Sequence, residues 1–267
     1  MATITLDSTL ILDGQTGIRS SAESSVDVFR LDGRTALVTG STKSIGRAIH
    51  DSLAAYGADV IAHGLPGEEA SDASVAVIHE DLSRPGGGRS LGHAVARIRR
   101  HVDILVLSAS LQIRQPWYCI TADDAERQWR VNVQSSLELV QALAPAMCER
   151  RWGRILAIGS VQQIRPHPEM AVYAATKSAQ DNLIRNLARQ LASHGVAVNS
   201  LAPGVINTDR NREALADHHY ATQLVDHIPV GRIGEPTDCV GAALLMCSPA
   251  GEYITGQTIV VDGGMTL

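Results

Sequence analysis

Aromatic side chains are scarce in this sequence, which contains one phenylalanine, five tyrosines and three tryptophans among its 267 residues. A chain of this composition has to build its core from valine, isoleucine, leucine and alanine. The scarcity also disfavours a site for a steroid or another flat apolar ligand, because few rings are present to stack against it. The sequence therefore predicts an aliphatic core and favours polar ligands over flat apolar ones.

Several features that would direct a protein out of the cytoplasm are missing as well. The four cysteines show no C-x-x-C or other metal-ligand spacing, so we expect them to stay reduced. No apolar run approaches the roughly 18 residues that span a bilayer. The first residues lack the basic stretch and apolar block of a secretory signal. These absences predict a cytoplasmic protein with no membrane partner.

Charge and histidine placement argue against two further kinds of site. The formal net charge is −5, with 23 lysines and arginines against 28 acidic residues, and this balance disfavours a nucleic-acid partner. His218 and His219 lie in a helix-like stretch, and no third ligand is spaced to complete a metal site with them. We expect neither nucleic acid nor a bound metal.

The pattern of apolar residues divides the chain at residue 31. Residues 1–30 are rich in serine and threonine and predict an extension, either a tail or a short added strand, with a disordered leader as the alternative. Residues 31–267 alternate apolar runs of strand length with runs of helix length, which is typical of one α/β domain. The predicted strands are 35–39, 59–63, 75–79, 103–107, 154–159, 197–201 and 258–261, and the predicted helices are 45–56, 88–100, 121–149, 171–192, 209–225 and 236–246.

This alternation predicts a single Rossmann-like domain. Apolar strands separated by helices form a doubly wound, seven-stranded parallel sheet with helices on both faces. Ligands of such sheets bind beyond the carboxyl ends of the strands. Functional residues are therefore expected in the segments that follow the strands.

A tyrosine and a lysine four residues apart are the first candidates for chemistry. Tyr173 and Lys177 open the predicted helix 171–192, and their spacing places both side chains on one helix face. An ammonium fixed beside a phenol favours the phenolate, which suits the pair to proton transfer. Ser160 follows a predicted strand and could hold a substrate oxygen. Taken alone, such a pair is more often a half-buried tyrosine beside a solvated lysine.

A turn of small residues follows the first predicted strand and precedes the first helix. Free backbone N–H groups and the positive end of the helix dipole suit a pyrophosphate at such a place. Gly40 permits the tight turn and Gly46 lets the helix pack close to the strand, whereas Ser44 stands where a second glycine could be expected. The strict G-x-G-x-x-G pattern is absent, so an ordinary strand-turn-helix remains the alternative.

The end of the second strand indicates which dinucleotide is preferred. A carboxylate there would accept a hydrogen bond from the ribose 2′-hydroxyl and repel a 2′-phosphate, but residues 63–66 read His-Gly-Leu-Pro. Lys43 offers a cation beside the phosphate turn, with a solvated loop lysine as its alternative. These features favour NADP(H), and NAD(H) remains an alternative because Glu68 or Glu69 could swing in. Asp81, after the third strand, could bond the adenine edge or cap a turn.

Six ordered motifs across residues 31–267 resemble those of the short-chain dehydrogenase/reductase family. They are the turn Thr39-Gly40-x-x-x-Ser44-Ile45-Gly46, the turn Ser108-Ala109-Ser110 in the place of N-A-G, Asn132 in mid-helix, Ser160 with Tyr173 and Lys177 at the family's spacing, Pro203-Gly204 followed by Thr208, and the closing pieces Gly231-Arg232-Ile233-Gly234-Glu235-Pro236 and Val261-Asp262-Gly263-Gly264. Six matches in order make chance implausible and favour the catalytic interpretation of Tyr173. The members it resembles are 3-oxoacyl-acyl-carrier-protein reductases and sugar dehydrogenases of the gluconate or glucose type.

The resemblance implies hydride transfer between a nicotinamide and a carbonyl or carbinol carbon. It implies Tyr173 as the acid in reduction and the base in oxidation, Lys177 as its cationic partner and ribose ligand, and Ser160 as the residue that orients the substrate oxygen. Asn132 is implied to hold a water that relays protons to the lysine. The implied cofactor residues are Gly40, Thr42, Lys43, Ser44, Ile45, Gly46, Gly64, Asp81, Leu82, Ser108, Ala109, Ser110, Asn132, Tyr173, Lys177, Pro203, Gly204, Val205, Ile206 and Thr208.

Two departures from the family pattern concern the cofactor site. Ser44 replaces a glycine in the phosphate turn, and Ser108 with Ser110 replace asparagine and glycine after the fourth strand. These substitutes are small and polar, so we expect cofactor binding to survive, at an affinity that could be lower. The resemblance also implies a homotetramer, paired through helices 121–149 and 171–192.

Polar side chains dominate the segment that borders the substrate in this family. Gln162, Gln163 and His167 lie between Ser160 and Tyr173 and are the candidate substrate ligands, with solvent-facing loop residues as the alternative. Such groups favour a small hydroxylated compound, such as a sugar, a sugar acid or a polyol. A ligand that leaves buried polar groups unpaired is penalised by about 1–3 kcal/mol for each.

Two other functions remain as alternatives. The first is reduction of a 3-oxoacyl group on acyl carrier protein, an acidic partner that the basic stretch 149–154 (Glu-Arg-Arg-Trp-Gly-Arg) could receive near the mouth of the site. The preferred interpretation of that stretch is a solvated helix end. The second is a protein that binds a dinucleotide without catalysis, which the intact set of catalytic residues argues against.

Overall fold

The computed structural model describes residues 27–69, 75, 77–98 and 101–267. Its seven strands are β1 (Thr35–Val38), β2 (Asp59–Gly64), β3 (Val77–His79), β4 (Ile104–Leu107), β5 (Gly153–Ile158), β6 (Val196–Pro203) and β7 (Thr258–Val261). They form one parallel sheet in the order β3-β2-β1-β4-β5-β6-β7. The predicted seven-stranded parallel sheet is confirmed. Residues 1–26, most of the predicted extension, lie outside the described residues.

The helices connect the strands and cover both faces of the sheet. They are α1 (Ser44–Ala55), α2 (Gly87–Ile98), α3 (Ala122–Trp129), α4 (Ser135–Glu149), α5 (Ala171–Leu191), α6 (Arg212–Ala216), α7 (His218–Asp226) and α8 (Val240–Cys247). Among the described residues, no helix has both the length and the apolar character needed to cross a bilayer.

Two predicted helices are each divided into two α-helices in the structure, and a third, 236–246, begins with a 3₁₀ turn, Pro236–Cys239, before α8. The predicted helix 121–149 is interrupted by a π-helical turn, Arg130–Gln134, which separates α3 from α4. The predicted helix 209–225 becomes α6 and α7, because the Asp217 carboxylate caps a new start by accepting hydrogen bonds from the backbone N–H groups of His219 and Tyr220. Both divisions depend on local hydrogen bonds that apolar periodicity does not report.

The core is aliphatic and lies in two layers, one on each face of the sheet. Successive residues of a strand point to opposite faces. Ile104 and Val106 of β4 therefore join the layer under α1 and α8, whereas Leu105 and Leu107 join the layer under α2, α4 and α5. All four side chains are buried, and each contributes about 1.5–3 kcal/mol to folding. The predicted aliphatic core is present.

The strand order places a crevice at the carboxyl edge of the sheet. The chain leaves β1 towards β2 but reaches β4 on the other side, so the segments after β1 and β4 diverge there. Thr39 ties the two segments together, because its hydroxyl oxygen accepts hydrogen bonds from the backbone N–H groups of Ser108 at 2.9 Å and Ala109 at 3.0 Å. The candidate functional residues surround this crevice.

Candidate active site

Tyr173 and Lys177 lie on one buried face in the first turns of α5. Tyr173 is 5% exposed and Lys177 is 1% exposed. The Lys177 Nζ atom lies 5.8 Å from the centroid of the tyrosine ring. It donates hydrogen bonds to the backbone oxygen of Ile158 at 2.7 Å and to Oε1 of Gln180 at 3.0 Å. The end of β5 therefore holds the lysine directly beneath the phenol.

The electrostatics of Lys177 follow from these surroundings. Burial, with a further contribution from the positive charge of Arg210, lowers the pKa of Lys177 to about 7. Both hydrogen-bond acceptors of the ammonium are uncharged, and among the described residues no carboxylate forms an ion pair with it. The lysine is therefore poised to exchange its proton near neutral pH.

Ser160 lies two residues after the end of β5 and caps a short 3₁₀ turn, Val161–Gln163. Its hydroxyl oxygen accepts a hydrogen bond from the backbone N–H of Gln162 at 3.2 Å, while the Gln163 side-chain oxygen accepts one from the backbone N–H of Ser160 at 3.4 Å. Within the described part of the chain, the Ser160 hydroxyl proton has no acceptor. It is available for an oxygen atom of a ligand.

Asn132 is fully buried in the π-helical turn that precedes α4. Its side-chain oxygen accepts a hydrogen bond from the backbone N–H of Leu111 at 2.8 Å, and its amide donates to the Leu111 carbonyl at 2.8 Å and to the Thr176 hydroxyl at 2.9 Å. Asn132 thus links the segment after β4 to the residue immediately before Lys177. The side chain positions both walls of the crevice.

A continuous path of side chains runs from Lys177 to the backbone of Asn132. Gln180 accepts from Lys177 and donates from Nε2 to the Ser136 hydroxyl oxygen at 2.9 Å, and that hydroxyl donates to the Asn132 carbonyl at 3.2 Å. Gln180 is 1% exposed and Ser136 is 3% exposed. We did not predict this pair from the sequence. The available signal was a glutamine three residues after Lys177, a spacing that places both side chains on one face of the predicted helix.

The phosphate turn has the backbone that its small residues predict. Gly40 has φ 62°, and a Cβ atom there would lie 2.9 Å from the Ala109 Cα atom. A Cβ atom on Gly46 would lie 2.3 Å from the Gly40 carbonyl oxygen. Ser44 adopts φ 57°, the left-handed region that favours glycine. The turn opens onto the N-terminus of α1, where helix N–H groups are available to an anion.

His63 supports the phosphate turn from below, a role that was not predicted. Its Nδ1 atom accepts a hydrogen bond from the Gly40 N–H at 3.1 Å, and its Nε2 atom therefore donates to the Glu80 carbonyl at 3.1 Å. Burial lowers the pKa of His63. The neutral ring thus connects the ends of β1, β2 and β3. On the next residue, Gly64, a Cβ atom would lie 2.5 Å from a Thr42 methyl carbon.

Glu68 lies beside the phosphate turn, a position that the sequence argument left undecided. Its carboxylate accepts hydrogen bonds from Lys43 Nζ at 2.8 Å, the Leu65 N–H at 3.1 Å and the Thr42 hydroxyl at 3.2 Å. Partial burial opposes ionisation, but the Lys43 bond and the other donors together lower the pKa of Glu68. Three donors thus converge on one carboxylate.

Asp81 forms a tight turn after β3. Its Oδ1 atom accepts hydrogen bonds from the Ser83 hydroxyl at 2.7 Å and the Ser83 N–H at 2.9 Å, and the first of these chiefly lowers the pKa of Asp81. This is the capping alternative that the sequence left open. The neighbouring Leu82 is buried. An adenine contact by these residues stays a prediction.

The segment after β6 closes the crevice from above. The Val205 carbonyl accepts from the Gly234 N–H at 3.0 Å, which anchors this segment to the motif before α8. A Cβ atom on Gly204 would lie 2.7 Å from the Asp262 side chain, so the P-G motif packs directly on the closing motif. Arg210 donates to the Ser110 carbonyl at 2.8 Å, and its Cζ atom lies 6.0 Å from the Tyr173 ring centroid.

The predicted substrate residues mainly stabilise their own loop. Gln162 accepts from the backbone N–H of His167 at 2.6 Å, and the His167 ring accepts from the Glu169 N–H at 3.2 Å. Gln163 accepts from Ser160 and lines a cavity of about 310 Å³ on a different face of α5, beside Asp181. A direct role of these three side chains in substrate binding stays a prediction.

The basic stretch 149–154 does not lie at the mouth. It precedes and begins β5, so it occupies the amino edge of the sheet, opposite the crevice. Arg150 donates to the Val102 carbonyl and pairs with Asp103 at 3.2 Å, and Arg154 is 2% exposed. The alternative of a basic patch near the mouth is wrong, because the stretch precedes and begins β5 and the mouth lies at the opposite edge of the sheet.

The residues of the crevice fit a dinucleotide. The approaches at Gly40 and Gly46 leave no room for side chains, as a backbone cradle for a pyrophosphate requires. The Ser110 hydroxyl oxygen is buried and, among the described residues, has no hydrogen-bond partner. A ligand that offers a pyrophosphate and ribose hydroxyls would satisfy both features.

Comparison with known proteins agrees with this geometry. A family model described as Enoyl-(Acyl carrier protein) reductase matches residues 40–266. Gluconate 5-dehydrogenase of Gluconobacter oxydans (strain 621H) is 34% identical over 250 residues, which cover 90% of this chain and 98% of that protein.

Two solved structures have similar folds. One is a 3-oxoacyl (acyl-carrier-protein) reductase from Agrobacterium tumefaciens C58 with NADP bound, with TM-score 0.86 and 40% identity, covering 92% of this chain and 100% of that chain. The other is a gluconate 5-dehydrogenase from Burkholderia cenocepacia J2315 in complex with NADP and tartrate, with TM-score 0.84 and 34% identity, covering 91% of this chain and 99% of that chain.

Proposed function

The chain belongs to the short-chain dehydrogenase/reductase family of NAD(P)-dependent oxidoreductases, and we propose that it interconverts an alcohol and a carbonyl on a small polar substrate with Tyr173 as acid and base. The substrate class is a sugar, a sugar acid or a polyol, and the preferred cofactor is NADP(H). The observation that carries the proposal is the buried Tyr173 above Lys177 at the mouth of the crevice.

The mechanism uses three side chains of this chain. In the reductive direction, the Tyr173 hydroxyl donates its proton to the substrate oxygen, and in the oxidative direction its phenolate takes that proton. The Lys177 ammonium stabilises the phenolate and offers a donor to the ribose hydroxyls of the cofactor. The Ser160 hydroxyl donates to the substrate oxygen where negative charge develops. When bound, the nicotinamide supplies or accepts the hydride.

The NADP(H) preference rests on the second strand and the phosphate turn. The residues that end β2 include no carboxylate, and Lys43 lies beside the turn, where it pairs with Glu68. NADP is the dinucleotide in both similar structures described above. NAD(H) remains the second candidate, because the Glu68 carboxylate lies beside the phosphate turn and bonds both Thr42 and Lys43.

Reduction of 3-oxoacyl groups on acyl carrier protein is the second candidate function. The similarity to the Agrobacterium reductase supports it. Against it, the basic stretch that would receive the acidic carrier lies at the opposite sheet edge. Non-catalytic dinucleotide binding is a third and weaker candidate, since Asn132, Ser160, Tyr173 and Lys177 are all present and buried.

We also propose a cytoplasmic homotetramer. The support is the family resemblance together with the length of α4 and α5, which the resemblance implies as the pairing helices. Size-exclusion chromatography with light scattering tests the assembly, and a monomeric mass at micromolar concentration would contradict it.

The decisive experiment uses the purified protein with NADPH and NADH. We expect the protein to shift the fluorescence of NADPH and to oxidise gluconate or a related sugar acid or polyol faster than it reduces acetoacetyl thioesters. Tyr173→Phe should lower kcat by at least about 10²-fold while the NADPH fluorescence shift persists. A wild-type protein that binds neither dinucleotide, or a Tyr173→Phe variant with undiminished turnover, would refute the proposal.

A further inference from the structure

Arg210 is a cation at the mouth of the crevice, and among the described residues a single hydrogen bond holds its guanidinium. It lies between β6 and α6, and its guanidinium donates to the Ser110 carbonyl at 2.8 Å. Its Cζ atom lies 6.0 Å from the centroid of the Tyr173 ring. A guanidinium carries five N–H donors, and one carbonyl engages only part of that set. The residue is exposed, and no other hydrogen bond of its guanidinium to the described chain is present.

Two arginines of neighbouring segments pair with carboxylates of the chain, and Arg210 does not. Arg114 pairs with Glu169 at 2.6 Å, and Arg212 pairs with Asp209. Within the described residues, Arg210 forms no ion pair. Arginine is the side chain best suited to bind a carboxylate through two parallel hydrogen bonds. An exposed, unpaired arginine beside the candidate catalytic tyrosine is therefore available to an anion from outside the chain.

The position of Arg210 also has an electrostatic consequence for Lys177. The positive charge of Arg210 adds to the burial that lowers the pKa of Lys177 to about 7. The two cations lie 5.8 Å and 6.0 Å from the Tyr173 ring centroid, and among the described residues neither forms an ion pair with a carboxylate. An anion bound at Arg210 would offset this repulsion and favour the protonated lysine. Binding of a negatively charged substrate would therefore favour the protonated Lys177 beside Tyr173.

We propose that Arg210 binds the carboxylate of the substrate and selects hydroxy acids, such as sugar acids, over neutral sugars and polyols. This inference rests on the proposed function and narrows its substrate class. The carboxylate would pair with the guanidinium while a carbinol a few carbon atoms away reaches the Tyr173 and Ser160 hydroxyls. Arg210 is thereby assigned as a specificity-determining residue.

The test compares two substrates that differ only in charge at one end. Gluconate carries a carboxylate where the hexitol of the same carbon skeleton carries a neutral alcohol. For Arg210→Met, we expect the ratio of kcat/KM for gluconate to kcat/KM for the hexitol to fall at least about tenfold, mainly through KM for gluconate, because a charge-assisted pair is lost. Arg210→Lys should recover part of the ratio. Arg212→Met, whose side chain pairs with Asp209, should leave the ratio unchanged.

A binding measurement separates this inference from the proposed function. Titration calorimetry of tartrate into the NADP-loaded protein reports carboxylate binding without turnover. We expect binding to the wild type and to Arg212→Met, and a loss of at least about tenfold in affinity for Arg210→Met. Absence of dinucleotide binding or turnover in the wild type would refute the proposed function. Turnover with an unchanged substrate ratio, or undiminished tartrate binding, in Arg210→Met would overturn the assignment of Arg210 alone.

Discussion

Gln180 accepts a hydrogen bond from the buried ammonium of Lys177 at 3.0 Å, and its own amide donates one to the Ser136 hydroxyl oxygen. The resemblance to the family implied a water between Asn132 and the lysine. In this chain the Ser136 hydroxyl already bonds the Asn132 carbonyl at 3.2 Å. We therefore expect Gln180 to influence the position of the Lys177 ammonium and how readily it holds its proton.

Replacing Gln180 should shift the pH dependence of activity. Gln180→Leu removes one of two acceptors of the ammonium, so the pKa of Lys177 should fall below about 7. The high-pH limb of the kcat/KM profile should then move down by about one pH unit, since a hydrogen bond to a charged group contributes about 1.5–3 kcal/mol. Gln180→Glu should move the limb upward.

Gln190→Leu is the matched control for this change. Gln190 lies on the same helix, is exposed and bonds only to Asn186 among the described residues. Its replacement should leave the pH profile where it is. If Gln180→Leu lowered only the melting temperature and kept the wild-type profile, the residue would have a structural role alone.

The sequence was most informative where the relevant contacts are local. The i,i+4 spacing of Tyr173 and Lys177 fixes a shared helix face, and the apolar runs locate each strand to within one or two residues, apart from the extra residues at the end of β6. Alternation of strands and helices predicts the parallel sheet because few connections between parallel strands are short.

Contacts between distant residues were not predicted. Gln180 meets Ser136 across 44 residues, and Arg210 meets Ser110 across 100 residues. No spacing rule reports such pairs, since they depend on the direction of side chains in the assembled fold. The position of residues 149–154, in contrast, could have been predicted from the sequence. It follows from strand direction, because the stretch precedes β5, and the sequence argument did not apply that rule.

Glu68 should control the choice of cofactor. Its carboxylate accepts hydrogen bonds from Thr42, Lys43 and Leu65, and a 2′-phosphate would compete for the same donors. Glu68→Gln removes the negative charge, so the ratio of KM for NADP to KM for NAD should fall by about tenfold, which corresponds to about 1.4 kcal/mol.

Glu69→Gln is the control for the cofactor experiment, because Glu69 is exposed and adjacent. It removes the same charge without touching the three donors. Steady-state kinetics with both dinucleotides measures the two ratios. Equal shifts in the two variants would mean that a general change in charge, rather than the position of Glu68, affects the cofactor.

Ser44 is a strained residue in the phosphate turn. Its φ of 57° lies in the left-handed region, where a side chain costs about 1–2 kcal/mol relative to glycine. Ser44→Gly should therefore raise the free energy of unfolding by about 1 kcal/mol, measured by urea denaturation. Ser52→Gly, in the interior of α1, should lower it by a few tenths to about 1 kcal/mol. A loss of stability in Ser44→Gly would show that the serine side chain contributes more than its backbone costs.

Lys177 should make stability depend on pH just above neutrality. Its pKa is lowered to about 7 in the folded protein, whereas an unfolded lysine titrates near 10.4. Between these values the unfolded chain binds more protons, so the free energy of unfolding should rise with pH, by at most about 1.4 kcal/mol per pH unit.

Other groups limit the window in which this rise can be measured. Burial lowers the pKa of His63 from an ordinary value near 6.5, so its contribution is complete below pH 7. Burial raises the pKa of Cys239 and Cys247 to about 12, so these thiols oppose the rise once unfolded thiols ionise near pH 9. His167, whose pKa burial also lowers, and Cys148, whose pKa burial raises, add to the pH dependence near this window.

The Lys177 contribution is therefore the difference between the slopes of the wild type and Lys177→Met in urea denaturation between pH 7.5 and 8.5. Lys177→Met should remove most of the slope, whereas Lys43→Met, at an exposed lysine paired with Glu68, should keep it. An undiminished slope in Lys177→Met would mean that the lysine remains charged in the folded protein well above neutral pH.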